Sequence, residues 1–310
     1  MAKVIVTGGC GFIGSHLVDA LCKRGDDVFV IDNLHTGYRE NIATSKAHFV
    51  SGDILDGKLL EETFIGATSV FHLAARISVP ESMQQPIPYA QTNSLGTLNI
   101  LEACCLTGVK NFILSSSAAL YGNNPLNPKK ETMQAEPASP YALTKLDGEF
   151  YCSLYRQEYG LNAVALRYFN VFGPRQDPGS PYAAAIPIFI DKALRDEDIT
   201  IWGDGEQTRD FIFVKDIVQA NLLAEKKGGD VFNVAYGERI TINDLAKTII
   251  EITKSKSNIV YQHERPGDIK HSQADITKIS KQLGFKPQYN LTEGLTETIQ
   301  HFYDTRKSTA

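Results

Sequence analysis

Tyr141 and Lys145 stand four residues apart in Ser139-Pro140-Tyr141-Ala142-Leu143-Thr144-Lys145. A helix with Pro140 in its first turn stacks the two on one face. A lysine cation held there would draw the phenol from its usual value of about 10 toward neutrality. A phenolate near working pH is a general base. Upstream, Phe112-Ile113-Leu114-Ser115-Ser116-Ser117 reads as a strand ending in serines, and Ser117 can bond the same substrate oxygen and relay its proton. The spacing alone is cheap: Tyr303 and Lys307 repeat it in the polar C-terminal tail, where it reads as a solvated helix end. What sets the Tyr141 pair apart is the serine-rich strand end ahead of it.

A base of this kind needs a redox partner, and the start of the chain supplies a place for one. Lys3–Thr7 is a short apolar strand that runs into Gly8, Gly11 and Gly14, with Phe12 and Ile13 opening a helix-periodic stretch. That glycine spacing lets main chain approach a pyrophosphate at a helix N-terminus. The next strand ends in Asp32, placed to bond an adenosine ribose 2′-OH and to repel a 2′-phosphate. The expected cofactor is therefore NAD rather than NADP. Asp53 follows another strand end and is expected near the adenine, and the small Leu73-Ala74-Ala75 turn suits close approach to a dinucleotide.

The elements that must hold these residues alternate as βαβ units do. Expected strands are Lys3–Thr7, Val28–Asp32, His48–Gly52, Ser69–His72, Asn111–Ser115 and Asn162–Arg167. Expected helices are Phe12–Arg24, Gly57–Phe64, Ile87–Thr107 and Tyr141–Gly160. Near-continuous apolar strands point to a doubly wound parallel sheet of Rossmann type, covered on both faces. Beyond residue 170 prolines and glycines cluster and short elements alternate irregularly. This predicts a smaller mixed α/β lobe, so that 1–170 holds the dinucleotide and 171–310 the substrate, with segments interleaved.

Composition narrows the partners. The 310 residues carry a net charge of −5, with no basic stretch for nucleic acid and no apolar run long enough for a membrane. The first strand begins almost at once, leaving no room for a signal peptide. Five scattered cysteines suggest reduced thiols in a cytoplasmic protein, and the histidines form no metal-ligand cluster, so no metal is expected.

Taken together, Thr7–Gly14, Asp32-Asn33-Leu34, Asp53, Asn93, Ser117, Tyr141/Lys145, Arg167–Arg175, Thr208–Asp216 and Arg265–Asp268 make the chain resemble the extended short-chain dehydrogenase/reductases, and within them the UDP-sugar 4-epimerases. The resemblance implies a tightly held NAD, with Ile54, Asn33, Asn93, Ser115 and Tyr168 joining the residues above around it. It implies a Ser117–Tyr141–Lys145 catalytic group and a UDP-sugar bound by Asn170, Arg209, Arg265 and Asp268. Hydride would leave C4 of the sugar for NAD and return to the opposite face. Dehydratases and decarboxylases of the family carry an acid just after the catalytic serine or threonine; here Ala118-Ala119 offer two methyls, which cannot move protons. A glucuronate-type epimerase, a keto-sugar reductase and a non-catalytic NAD-binding sensor stay open as alternatives. Ser272 occupies the family's gate position beside the sugar 2-substituent, and its small side chain leaves room for an N-acetyl group. The stretch from Asp177 to Pro187, with Ala185, also resembles members that accept N-acetylhexosamines. The long helices Ile87–Thr107 and Tyr141–Gly160 correspond to the family's dimer interface, so a homodimer is expected.

Overall fold

The computed structural model describes residues 1–179, 184–264 and 270–309. The first half lays down β1 (Lys3–Thr7), α1 (Phe12–Arg24), β2 (Asp27–Asp32), β3 (His48–Ser51), α2 (Gly57–Phe64), β4 (Ala67–His72), α3 (Val79–Gln84), α4 (Pro86–Tyr89), α5 (Gly96–Thr107), β5 (Asn111–Ser117), α6 (Pro140–Tyr159) and β6 (Asn162–Tyr168). The second half adds β7 (Asn170–Phe172), α7 (Ala185–Ala193), β8 (Ile199–Trp202), β9 (Thr208–Arg209), β10 (Phe211–Phe213), α8 (Val214–Lys227), β11 (Val231–Val234), β12 (Ile240–Thr241), α9 (Ile242–Thr253), β13 (Ile259–Gln262), α10 (Thr277–Leu283) and α11 (Leu291–Thr309).

Seven strands form one sheet in the order β11-β6-β5-β4-β1-β2-β3, all pairs parallel. This is the Rossmann-type doubly wound sheet expected from the apolar strands. The order reverses between β1 and β4, which opens a crevice beyond their carboxyl ends. One face is covered by α1 and α8, with Leu17, Val18, Leu21, Ile217 and Ala220 packed on the strands. The other is covered by α2, α5 and α6, through Leu60, Phe64, Ile100, Leu101 and Cys152. A third cluster, around Phe189, Ile190, Leu245, Ile249 and Leu295, is the core of the C-terminal part. β11 comes from the second half of the chain yet pairs with β6 in the main sheet.

Two expectations need correcting. The helix expected over Ile87–Thr107 is interrupted: α4 passes through a π-helical turn, Ala90–Leu95, before α5 begins. Wide turns of this kind recur at functional sites, and this one contains Asn93. In addition, β5 runs two residues past Ser115, because Ser116 and Ser117 pair with Arg167 and Tyr168 of β6. Ser117 is thus the last strand residue, held by the sheet itself.

What docks α6 on this sheet is a buried ion pair. Arg167 of β6 donates from Nε to Glu149 Oε1 at 2.9 Å and from Nη2 to Oε2 at 2.7 Å. Its Nη1 donates to the Tyr121 hydroxyl at 2.8 Å, which donates in turn to Asn233 Oδ1 at 2.7 Å. Glu149 is also bonded by the Ser116 hydroxyl at 2.5 Å. Both side chains are under a tenth exposed. Breaking such a pair leaves an uncompensated buried charge, at a cost of about 3–5 kcal/mol. Glu149→Ala should therefore lower the midpoint of thermal unfolding by several degrees at equal cofactor content. An unchanged midpoint would show that the pair does not hold the helix.

Candidate active site

The crevice between β1 and β4 is floored by main chain. Gly8 has φ 70°, and a Cβ there would lie 2.6 Å from Ala74 N. At Gly14 a Cβ would lie 2.2 Å from Gly8 O. The glycine turn and the Leu73-Ala74 turn therefore meet backbone to backbone. Gly11 opens α1 with no side chain capping it, so first-turn N–H groups, those of Phe12 and Ile13 among them, are left for a ligand's phosphates. Asp32 ends β2, nearly buried. Its Oδ2 accepts from Cys10 N at 2.9 Å and its Oδ1 from Leu34 N at 2.8 Å, and each oxygen keeps acceptor capacity. Asn33 donates to Asp53 Oδ2 at 2.9 Å, joining two strand ends at the rim. Ile54 lies buried beneath, against Gly96. A side-chain-free floor, an uncapped helix start and a carboxylate at the end of β2 fit a dinucleotide.

At the ends of β4 and β5 the catalytic candidates come together. Tyr141, Lys145 and Glu149 lie at successive four-residue steps along α6, and each meets one of three consecutive serines on β5. Lys145 Nζ donates to Ser115 O at 2.8 Å, Glu149 takes the Ser116 hydroxyl, and Tyr141 faces Ser117, whose hydroxyl acts to lower the phenol's pKa. Ser117 Oγ also accepts from Ala119 N at 3.1 Å, which fixes the oxygen and leaves its O–H to donate. Ala118 and Ala119 follow in a single 3₁₀ turn. Lys145 Nζ lies 5.9 Å from the centre of the Tyr141 ring.

Asn93 is clamped behind this group. Its Oδ1 accepts from Arg76 N at 2.8 Å, and its Nδ2 donates to Arg76 O at 2.9 Å and to Thr144 Oγ1 at 3.1 Å. His72 links it to the glycine turn. Thr97 gives its hydroxyl proton to Asn93 O at 2.5 Å, so His72 Nε2 must donate to Thr97 Oγ1 at 2.9 Å. Its Nδ1 then accepts from Thr7 Oγ1 at 2.8 Å. Burial, with the Lys145 charge adding, pushes His72 down to about 3, and the imidazole stays neutral. Ala74, Ala75, Asn93, Leu114 and Lys145 line one recess. Tyr168 ends β6 with its hydroxyl tied to Asn221 of α8, at 2.7 Å from Nδ2.

The electrostatics differ from the sequence-based expectation in one respect. Lys145 was expected to draw Tyr141 toward neutrality. Burial instead raises the Tyr141 phenol above its usual value, against the lowering effect of Ser117. Burial also lowers Lys145, to about 8. Both shifts have the same cause, burial, and neither moves the Tyr141 phenol toward neutrality.

The residues expected around the substrate lie beyond the sheet's carboxyl end. Asn170 begins β7, with its Nδ2 donating to Asp210 O at 3.1 Å. Arg209 ends β9 and donates to Thr208 O at 3.0 Å. Ser272 N donates to Thr208 O at 3.1 Å, which brings the gate position beside β9. Ala185 opens α7. Arg265 and Asp268 lie outside the described residues, as do residues 180–183 of the Asp177–Pro187 stretch. Sequence reasoning missed Glu149, Arg167, Asp210 and His72 as supports of the site. Glu149 had a signal, since it continues the Tyr141–Lys145 stripe; the others depend on partners distant in the chain.

No group of histidine, cysteine, aspartate or glutamate side chains among the described residues could hold a metal, and no helix among them is long and apolar enough to cross a membrane.

Comparison with known proteins agrees with this geometry. The NAD dependent epimerase/dehydratase family model matches residues 4–235. A putative UDP-glucose 4-epimerase of Methanocaldococcus jannaschii is 40% identical over 96% of this chain and 97% of its own. Among solved structures, the UDP-N-acetylglucosamine 4-epimerase of Methanobrevibacter ruminantium M1, in complex with UDP-N-acetylmuramic acid, superposes with a TM-score of 0.94 at 45% identity, covering 98% of this chain and 99% of that one. The UDP-glucose 4-epimerase of Thermotoga maritima, with UDP-glucose, gives 0.94 at 43% identity, with the same 98% and 99% coverage. With a family match over most of its length and a dinucleotide crevice leading to a Ser-Tyr-Lys group, the chain belongs to the NAD dependent epimerase/dehydratase family.

Proposed function

We propose that this protein is an NAD-dependent UDP-sugar 4-epimerase, acting on UDP-GlcNAc/UDP-GalNAc, on UDP-glucose/UDP-galactose, or on both. The observation that carries the reading is Ser117, Tyr141 and Lys145 gathered at the end of β5 and the start of α6, with only the methyls of Ala118 and Ala119 following the serine. Elimination of water or loss of a carboxyl group calls for a second positioned acid or base at that place.

When bound, NAD supplies a reversible two-electron acceptor and, in its oxidised form, a positively charged ring. Gly8, Gly11 and Gly14 would carry its pyrophosphate, Asp32 its adenosine ribose, and Lys145 its other ribose. Tyr141 takes the proton of the sugar 4-OH while Ser117 holds the 4-oxygen. Loss of that proton together with the C4 hydride, for which bound NAD would be the acceptor, would leave a 4-keto sugar, which would turn about its pyrophosphate linkage and take the same hydride back on its other face. Tyr141 then returns the proton to the same oxygen. Because nothing is consumed, turnover should need no added cofactor when NAD is retained. Residues 1–170 would hold NAD and 171–310 the UDP-sugar, with segments interleaved: Arg209, Arg265 and Asp268 would be sugar-nucleotide ligands from the second part and Asn170 one from the end of the first. The small Ser272 and Ala185 leave volume for an N-acetyl group.

Two wider readings accompany this one. Leu143, Phe150 and Leu154 of α6 and Leu95 beside α5 are exposed; we assign this apolar face to a homodimer. The five free cysteines suit the reducing cytoplasm.

Incubation with UDP-glucose and with UDP-GlcNAc, without added cofactor, should yield the C4 epimers; strict dependence on added NADPH would point to a reductase instead. Tyr141→Phe should lower kcat by about 10²-fold or more with the fold intact, and near-normal turnover would sink the assignment. In NAD-free protein, the absorbance difference at about 295 nm between wild type and Tyr141→Phe should show no phenolate below a pH of about 10. Titration of Tyr141 near neutrality without NAD would mean that Lys145 suffices. Phe150→Glu should convert a dimer to a monomer in light scattering, whereas a monomeric wild type would refute the assignment of that face.

A further inference from the structure

Asp210 sits between β9 and β10, fully buried, so its carboxylate reaches no solvent and no ligand. Its bonds nevertheless run to Asn170 and to the segment that carries Ser272, two of the candidate substrate residues. Oδ1 accepts from Tyr236 N at 3.0 Å and Gly237 N at 3.2 Å, while Oδ2 accepts from Gly237 N at 3.1 Å and Ala274 N at 3.1 Å. Its main-chain carbonyl accepts from Asn170 N at 3.2 Å and Asn170 Nδ2 at 3.1 Å. Arg209 precedes it directly, and Ser272 lies two residues before Ala274, with its N–H on Thr208 O. Gln273 Nε2 closes the circuit by donating to Gly237 O at 2.9 Å.

Three N–H donors converge on this side chain, and only a group that accepts through both atoms satisfies them; an ionised carboxylate is the one that does. The arrangement is costly. Among the described residues no cation bonds Asp210, and burial, with Glu238 adding a like charge, pushes its pKa up to about 7. A site that needed only packing would be served more cheaply by an apolar side chain.

We infer that Asp210 is the positioning residue of the sugar-nucleotide side of the site, its carboxylate setting the spacing of Asn170, Arg209 and Ser272 and thereby substrate affinity. The inference rests on the UDP-sugar reading above. The Ser117–Tyr141–Lys145 group hangs on α6 and β5 by separate bonds, so the effect belongs in binding rather than in the chemical step.

The test is Asp210→Asn, which keeps the shape but places an amide NH₂ against one of the N–H donors. Wild-type turnover of UDP-sugars is measured first, and its absence would remove the parent reading. In the variant, KM for the UDP-sugar and Kd for UDP alone, by calorimetry, should rise about tenfold or more, as for an orphaned buried donor, with kcat and bound NAD nearly unchanged. KM and Kd within about twofold of wild type, or a fall in kcat at constant KM, would overturn the inference. Should the variant not fold, amide hydrogen exchange of the wild type decides. UDP should slow exchange at Tyr236, Gly237 and Ala274 together with Arg209 and Ser272; slowing confined to Arg209 and Ser272 would refute the coupling.

Discussion

The bidentate contact between Glu149 and Arg167 is the constraint on which the catalytic geometry depends. A long helix packed on a sheet can slide or roll with little loss of apolar contact, because dispersion forces have no direction. A buried guanidinium–carboxylate fork is directional and intolerant of displacement. It fixes α6 to β6 at one point, and Ser116 ties that same carboxylate to β5. Tyr141 and Lys145 are carried on the same helical face, so their distance from Ser117 follows from this anchor. The local bonds they make to β5 then refine a position already chosen.

The second organising feature is the buried polar chain from Thr7 through His72 and Thr97 to Asn93. It joins the glycine turn to the catalytic corner through side chains that carry no charge, since burial keeps His72 neutral. Each member has its hydrogen-bonding capacity met by the next, which is the condition under which a polar network inside a protein adds rigidity. The π-helical turn at Ala90–Leu95 belongs to this chain, because it places Asn93 between Arg76 and Thr144.

Most of the main sheet was legible because its determinants are local. Lys3–Thr7 followed by Gly8, Gly11 and Gly14 describes a strand, a turn and a helix start within a dozen residues, and Phe12–Arg24 and Gly57–Phe64 appear as helices over the expected ranges. The gathering of Ser117, Tyr141 and Lys145 was legible for a similar reason: helical spacing sets two of them, and a strand end sets the third. What escaped were facts of three-dimensional partnership. Helix periodicity did not register the π turn, because apolar residues occur at several spacings through Ile87–Thr107 and mask the shift in phase. The direction of the Tyr141 shift depends on how deeply both groups are buried, which spacing does not encode. Asp210 stands in sequence only as one member of the Thr208–Asp216 motif, and its three donors lie at Tyr236, Gly237 and Ala274, far along the chain.

The backbone-to-backbone meeting of Gly8 with the Leu73-Ala74 turn also bears on how such a protein can change. A surface made of main chain has no side chain to exchange, and at Gly8 or Gly14 even one methyl would collide with neighbouring backbone. Single substitutions therefore have little means of reshaping the floor of the dinucleotide groove short of breaking it. Under the proposed function the sugar side, around Asn170, Arg209 and Ser272, is built of side chains that can be swapped one at a time. On that reading the cofactor floor resists redesign and the sugar side invites it, so that new sugar preferences can arise without reopening the question of the cofactor.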